Sequence, residues 1–358
     1  MKITLKRTDE QVELVKAMAS RNRDVAYEAQ QALAEFIGPV LAEVVNQAPT
    51  LSNLFTNFQF NEMDSPSIPL DLYYDVTAPD YVKVYSTTVP GGLPTNTVTP
   101  TVSEMKFNTY RLDSAVDFDK RYAAKSRMDV IGKTFSRIAQ EILLRQESTS
   151  ANLILGALDA ASTNGAGHLD VKASGTIVLD DFNKLLLKAK RINTAWTGSA
   201  PEGGRIKGIT DLIMSPEQVK GLREMAYNPV NTNTGAVTNI AATDEMRNAI
   251  YGNAGAPEFF GISIMEINEL GPDQKFTSVW NTLRTGVTAT DVVIGLDRSR
   301  ESLFRAVALD AETGSEFTLL ADDQYSVRQS KIGYYGSLEE GRMILDDRVL
   351  TGITFEAP

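Results

Sequence analysis

Cysteine is absent from the 358 residues, and histidine occurs once, at position 168. No disulfide framework, thiolate metal site or thiol nucleophile can be built from such a chain. A zinc site of the histidine–cysteine kind is excluded by count. Any Ser-His-Asp arrangement would have to use His168, which lies in the glycine-rich run Gly165–Leu169 with no nucleophile elbow around it. It reads as an incidental loop histidine. No apolar run reaches the ~18–20 residues of a membrane-crossing helix, and the N-terminus MKITLKRTDE lacks the apolar stretch of a signal peptide. Positive charge is in deficit: 35 Lys and Arg face 46 Asp and Glu, a formal charge of -11. Such a surface does not neutralise phosphates, which argues against sequence-specific nucleic-acid binding. A wall that merely faces nucleic acid remains compatible, since acidity keeps the nucleic acid from sticking.

What is present offers little chemistry. The acidic pairs Asp180-Asp181, Asp322-Asp323 and Asp346-Asp347 lack the alternating spacing of a calcium loop and read as solvated turns. Gly203-Gly204 with Lys207 is not a phosphate-binding loop, which needs Gly-Lys-Ser/Thr opening a helix, and Gly91-Gly92 precedes no helix. The reading is therefore of a non-enzyme: no catalytic, cofactor-binding or metal residues, and no cofactor.

The layout is more informative, and the fold class is α+β. Ser126–Ala161 holds no proline and places Ile131, Phe135, Ile138, Ile142, Leu153, Ala157 and Leu158 near one helix face. Ser126 or Asp129 is the candidate cap. At ~1.5 Å per residue this is a rod of roughly 50 Å, a structural spine. Its basic residues Lys133, Arg137 and Arg145 alternate with Gln140, Glu141 and Glu147, as on a solvated or subunit-facing side. Upstream, residues 9–46 predict two helices or one with a bend, interrupted at Arg21–Asp24 and again at Gly38-Pro39. They form either an arm on a neighbouring subunit or a plain core helix. Asp80–Val89 and Val98–Leu112 alternate as two strands around the glycine- and proline-rich tip 90–97. Such a ribbon is only marginally stable alone and must lie on something. Downstream come a strand within 165–177, a helix over 179–192, a strand over 209–214, and a helix opened by Ser215-Pro216-Glu217. The polar run 228–243 is a loop, followed by a short helix at 244–251. Strands are expected at 261–267 and 291–296, a hairpin at 307–310 with 317–320, and strands over 325–335 and 348–355.

This order of parts resembles the major capsid proteins of tailed bacteriophages with the Hong Kong 97-type fold. The likeness rests on the extended hairpin running into MKFNTYRLDSAVDFDKRYAAKSRMDVIGKTFSRIAQEILLRQE, on Leu212–Pro216 as a strand-to-helix step, on Phe260–Ile267, and on the endings LADDQYSVRQSKIGYYG and RVLTGITF. The resemblance implies an N-terminal helical arm (1–60), an E-loop (68–115), a peripheral domain (116–195) with the spine at 126–161, an axial domain (196–300) and a return to the peripheral domain (301–358). It also implies a virion protein, assembled in the bacterial cytoplasm, that forms hexamers and pentamers around packaged double-stranded DNA. Its implied partners are itself, scaffolding and portal proteins and decoration proteins, with no membrane. The 9–46 helix is a candidate scaffold-like arm. Lys83 and Lys106 fall on E-loop strands away from the tip, so a lysine–asparagine crosslink is not expected. Loop 228–243 is expected near the capsomer centre. Rivals are an encapsulin-type nanocompartment shell, a β-rich enzyme, and a tail tube or sheath subunit.

Overall fold

The spine exists, displaced by two residues. The computed structural model describes residues 8–48, 50–61, 64–69, 104–163, 167–173, 175–192, 208–225, 258–259, 261–284, 288–300, 302–310, 314–322 and 330–356. In chain order its helices are α1 (Asp9–Ala17), α2 (Arg23–Gln47), α3 (Lys120–Ala124), α4 (Met128–Thr163), α5 (Leu179–Ile192), α6 (Pro216–Met225) and α7 (Lys275–Leu283). Its strands are β1 (Thr56–Asn61), β2 (Ser67–Pro69), β3 (Glu104–Lys106), β4 (Thr109–Asp119), β5 (Leu169–Ala173), β6 (Asp211–Met214), β7 (Glu258–Phe259), β8 (Ile262–Glu266), β9 (Ala289–Leu296), β10 (Leu303–Leu309), β11 (Thr318–Asp322), β12 (Lys331–Ile344) and β13 (Leu350–Glu356). The spine α4 has 36 residues. Ser126 cannot be its cap by the usual geometry, because it sits at φ 49° between α3 and α4.

The chain divides into two compact units, the first made of 1–67, 106–150 and 303–343, the second of 68–105, 151–302 and 344–358. The first holds a five-stranded sheet of order β1-β10-β12-β11, with β4 also on β12. β1 runs parallel to β10 from Thr56 opposite Phe304 to Asn61 opposite Leu309. β4 runs antiparallel to β12 from Asp119 opposite Lys331 to Thr109 opposite Gly341. Helices α1, α2 and α4 share one core with it: Val15, Met18, Leu33, Ile37, Leu41, Ile131, Phe135, Ile138, Val307 and Tyr334 are all buried together. The Phe135 and Tyr334 rings meet edge to face at 5.2 Å.

The N-terminal helices are therefore core helices on their inner side. The expected interruption is found at residues 18–22, and the Asn22 side chain accepts from Asp24 N at 3.2 Å to restart the chain as α2. Gly38-Pro39 does not break α2. Proline costs ~3 kcal/mol inside a helix, but Pro39 is exposed, while Leu33, Ile37, Leu41 and Val45 hold the turns on either side in the core.

The second unit holds a six-stranded sheet of order β5-β13-β9-β6-β8-β7. β13 lies between β5 (parallel) and β9 (antiparallel). Its centre is buried on both faces, as the all-buried pattern of β6 shows. Phe182, Leu185, Val219 and Leu222 of α5 and α6 cover Leu212, Met214, Val293, Ile353 and Phe355. Thr354 points the other way by strand alternation, where the Trp280 indole of α7 donates to its Oγ1 at 3.3 Å. The expected helix at 179–192 matches α5 residue for residue.

Two strand expectations need correction. β10 and β11 do not pair as a hairpin, because β12 lies between them in the sheet. Gly336 explains β11's place: the Phe317 ring sits where a Cβ on Gly336 would be, only 2.4 Å from it. β12 also continues to Ile344, beyond the expected end at Tyr335. Most of the expected 80–112 hairpin, loop 228–243, the helix at 244–251, and both glycine clusters lie outside the described residues; β2 and β3, which bracket 70–103, pair with each other. Gly336→Ala should overpack Phe317 and destabilise the chain by about 1–3 kcal/mol, read as a lower urea midpoint with an unchanged slope.

Candidate functional site

The most elaborate polar constellation lies inside the first unit, around a carboxylate that alternation places in the core. Along β12, Ile332, Tyr334, Leu338, Glu340 and Arg342 share one strand parity and all are buried. Leu303, Arg305 and Val307 do the same on β10. Glu340 is 0% exposed. Its Oε2 accepts from Arg305 Nε at 3.0 Å, Gln146 Nε2 at 3.0 Å and Arg342 Nη2 at 3.1 Å. Its Oε1 accepts from Arg342 Nη1 at 2.6 Å and from the Tyr110 hydroxyl at 2.8 Å. Beyond this shell, Arg342 Nη2 donates to Ser52 Oγ at 2.7 Å and Arg305 Nη1 to Asn46 Oδ1 at 3.1 Å.

Burial alone would raise the Glu340 carboxyl, but the Arg342 and Arg305 guanidiniums outweigh it and hold the group below its ordinary value. Tyr110 is pushed up to about 12, first by burial and then by the Glu340 charge. Among the described residues Arg305 Nη2 and Arg342 Nε, both buried, have no acceptor. A carboxylate fully occupied by five donors cannot abstract a proton or bind a metal. The constellation is a structural clasp.

The second unit contains the nearest approach to a catalytic pair. Ser215 Oγ accepts from Gln218 N at 3.2 Å, capping α6 as expected, and donates to Asp291. Burial raises the Asp291 carboxyl, partly countered by Ser215. Gln218 is itself engaged, accepting from Ile177 N at 2.7 Å and donating to Gly175 O at 3.1 Å. Ser215 therefore holds a helix start onto the sheet. His168 lies in the loop just before β5 and is buried there, 1% exposed, with Nδ1 2.8 Å from Leu350 O. The cause is the parallel β5–β13 pairing, in which Gly352 N also donates to His168 O at 2.9 Å.

The acidic pairs serve local structure. Asp181 pairs with Lys172 and accepts from Val178 N, Asp180 pairs with Lys184, and Asp346 binds Arg348 at 2.9 Å. Among the described residues no cluster of three or more metal-ligating side chains occurs, and no helix is long and apolar enough to cross a membrane. Lys106 is exposed on β3, whereas Lys83 and Asp323 lie outside the described residues. Lys133, Arg137 and Arg145 face outward on α4, beside Leu144, which is 62% exposed.

No protein-family model and no curated protein matches the chain by sequence. Solved structures do. The chain superposes on the capsid of an empty GTA particle with a TM-score of 0.51 at 12% identity, over 86% of this chain and 89% of that one. This is the Hong Kong 97-type capsid fold. Similar structures also include Microbacterium phage Oxtober96 (TM-score 0.49, 12% identity, 87% of this chain and 92% of that one). Another is the holo-SrpI encapsulin complex from Synechococcus elongatus PCC 7942 (TM-score 0.41, 14% identity, 71% and 76%).

Glu340→Gln keeps the shape but leaves two buried guanidiniums without a counter-charge, which should cost about 3–5 kcal/mol in urea unfolding. The folded carboxyl lies below the ordinary 4.5, so its contribution is present above that value and lost as pH falls through the folded one. The Gln variant should accordingly show a flatter loss of stability below about pH 4.5.

Proposed function

We propose that the chain is a major capsid protein that self-assembles into hexamers and pentamers and forms the icosahedral head around packaged double-stranded DNA. The observation that supports this reading most is the capsid-type fold, matched over most of both chains. In this reading the peripheral domain is residues 116–195, with the spine, together with the return over 301–358. The axial domain is residues 196–300, which supply β6, β8 and β9 of the six-stranded sheet. Residues 1–60 are the proposed N-terminal helical arm and residues 68–115 the proposed E-loop, whose last residues enter β4 and pair with β12. Scaffolding, portal and decoration proteins are its further partners, and the virion its place, after assembly in the host cytoplasm.

The acidity of the chain suits a wall that encloses DNA without gripping it. A catalytic role gains no support from the polar constellations described, each of which is closed by hydrogen bonds within its own unit. Electron microscopy of the purified recombinant chain, with size-exclusion chromatography alongside, should show closed polyhedral shells or ring-shaped capsomers. A monodisperse small species, unchanged across protein concentration and salt, would overturn the reading.

A further inference from the structure

Two outward faces carry complementary chemistry, and neither serves the cores. The first is on α2. Val25, Phe36 and Val40 are exposed, with Phe36 at 56%. Ala32 and Pro39 are exposed with them, so the five follow one side of the helix at near-helical spacing. Glu28, Glu35 and Glu43 are exposed along the same side, and from Asp24 to Gln47 the helix contains no lysine or arginine. It is an acidic, apolar ridge with one aromatic side chain standing out of it.

The second face is an open groove of about 480 Å³ along α5, lined by Asp170, Lys184, Leu187, Lys188, Arg191 and Ile192 among others. Leu187 is 51% exposed there. Three cations surround it against one lining carboxylate, Asp170, which pairs with Lys188; Lys184 also reaches Asp180 outside the groove. On a chain of formal charge -11 this is a local inversion of sign.

We propose that the α2 ridge of one copy docks into the α5 groove of a neighbouring copy. Phe36 then seats against Leu187 and Ile192, with Glu35 and Glu43 facing Lys184 and Arg191. This rests on the shell reading and names one contact within it. An exposed aromatic flanked by carboxylates is the kind of anchor that a cation-rimmed apolar groove accepts. The apolar floor and the Asp170 carboxylate disfavour a phosphate backbone as occupant. The two faces are different surfaces, so the contact is head-to-tail, and such contacts close into rings when the rotation permits.

The test is charge reversal on exposed residues. Glu35→Lys with Glu43→Lys, and separately Lys184→Glu with Arg191→Glu, are placed in the full chain. Each is checked by circular dichroism for an unchanged melting temperature, and assembly is followed by light scattering and electron microscopy. Each one-sided variant should assemble at least about tenfold more slowly, and a chain carrying all four reversals should recover most of the rate. Wild-type assembly by both one-sided variants, or no recovery in the fourfold variant, overturns the contact while leaving the shell reading standing. Unrescued loss confined to the α5 variant, together with loss of packaged nucleic acid, assigns the groove to a polyanion and also overturns it. If the unsubstituted chain does not assemble, the shell reading falls and this contact with it.

Discussion

A carboxylate enclosed by protein must be matched by donors on every side, and Glu340 meets that demand with five hydrogen bonds from four residues. Tyr110 comes from β4, Gln146 from the spine, Arg305 from β10 and Arg342 from β12 itself. The arginines extend the clasp to Asn46 at the end of α2 and to Ser52 just after it. Strands β4, β10 and β12, the spine and the end of α2 thus meet around one charge. Net stability is not the chief gain, because desolvation offsets much of the Coulomb attraction in a buried triad. Register is the gain. A one-residue slip of β12 would turn Glu340 and Arg342 to the opposite face and leave Arg305 buried without its counter-ion.

The second unit solves the same problem of order by apolar means. Its sheet is sandwiched between α5 with α6 on one face and Trp280 of α7 on the other. Among its buried polar contacts, Ser215 binds Asp291, Gln218 two backbone groups and His168 one. These contacts tie a helix end or strand edge in place.

Much of this frame was legible in the sequence. Helix α5 and the Ser215-Pro216 start carry strong local signals, namely spacing, caps and charge placement, and the structure follows them. The spine was legible as an element, and its face was read correctly at Ile131, Phe135, Ile138, Ile142 and Leu158 but not between Ile142 and Leu158. Its stripe runs through Ile142, Gln146, Ser150, Ile154 and Leu158, all buried, whereas Leu153 and Ala157 are only partly so. A search for apolar residues alone loses the stripe where it becomes polar, and that polar step is where the spine reaches Glu340. The clasp itself was missed for a related reason: Glu339-Glu340-Gly341-Arg342 looks solvated until parity with Tyr334 and Leu338 is followed. The β11–β12 pairing was not legible, since it depends on Phe317 finding a residue without a side chain across the sheet.

The proposed shell subunit has a first unit clasped around Glu340. A cryo-electron-microscopy reconstruction of assembled particles tests it most directly. Rings of six and of five are expected in one closed lattice, with the Glu340–Arg305–Arg342 clasp unchanged between the two environments. Particles without five- and six-fold rings, or a clasp that opens or re-pairs between them, would contradict it.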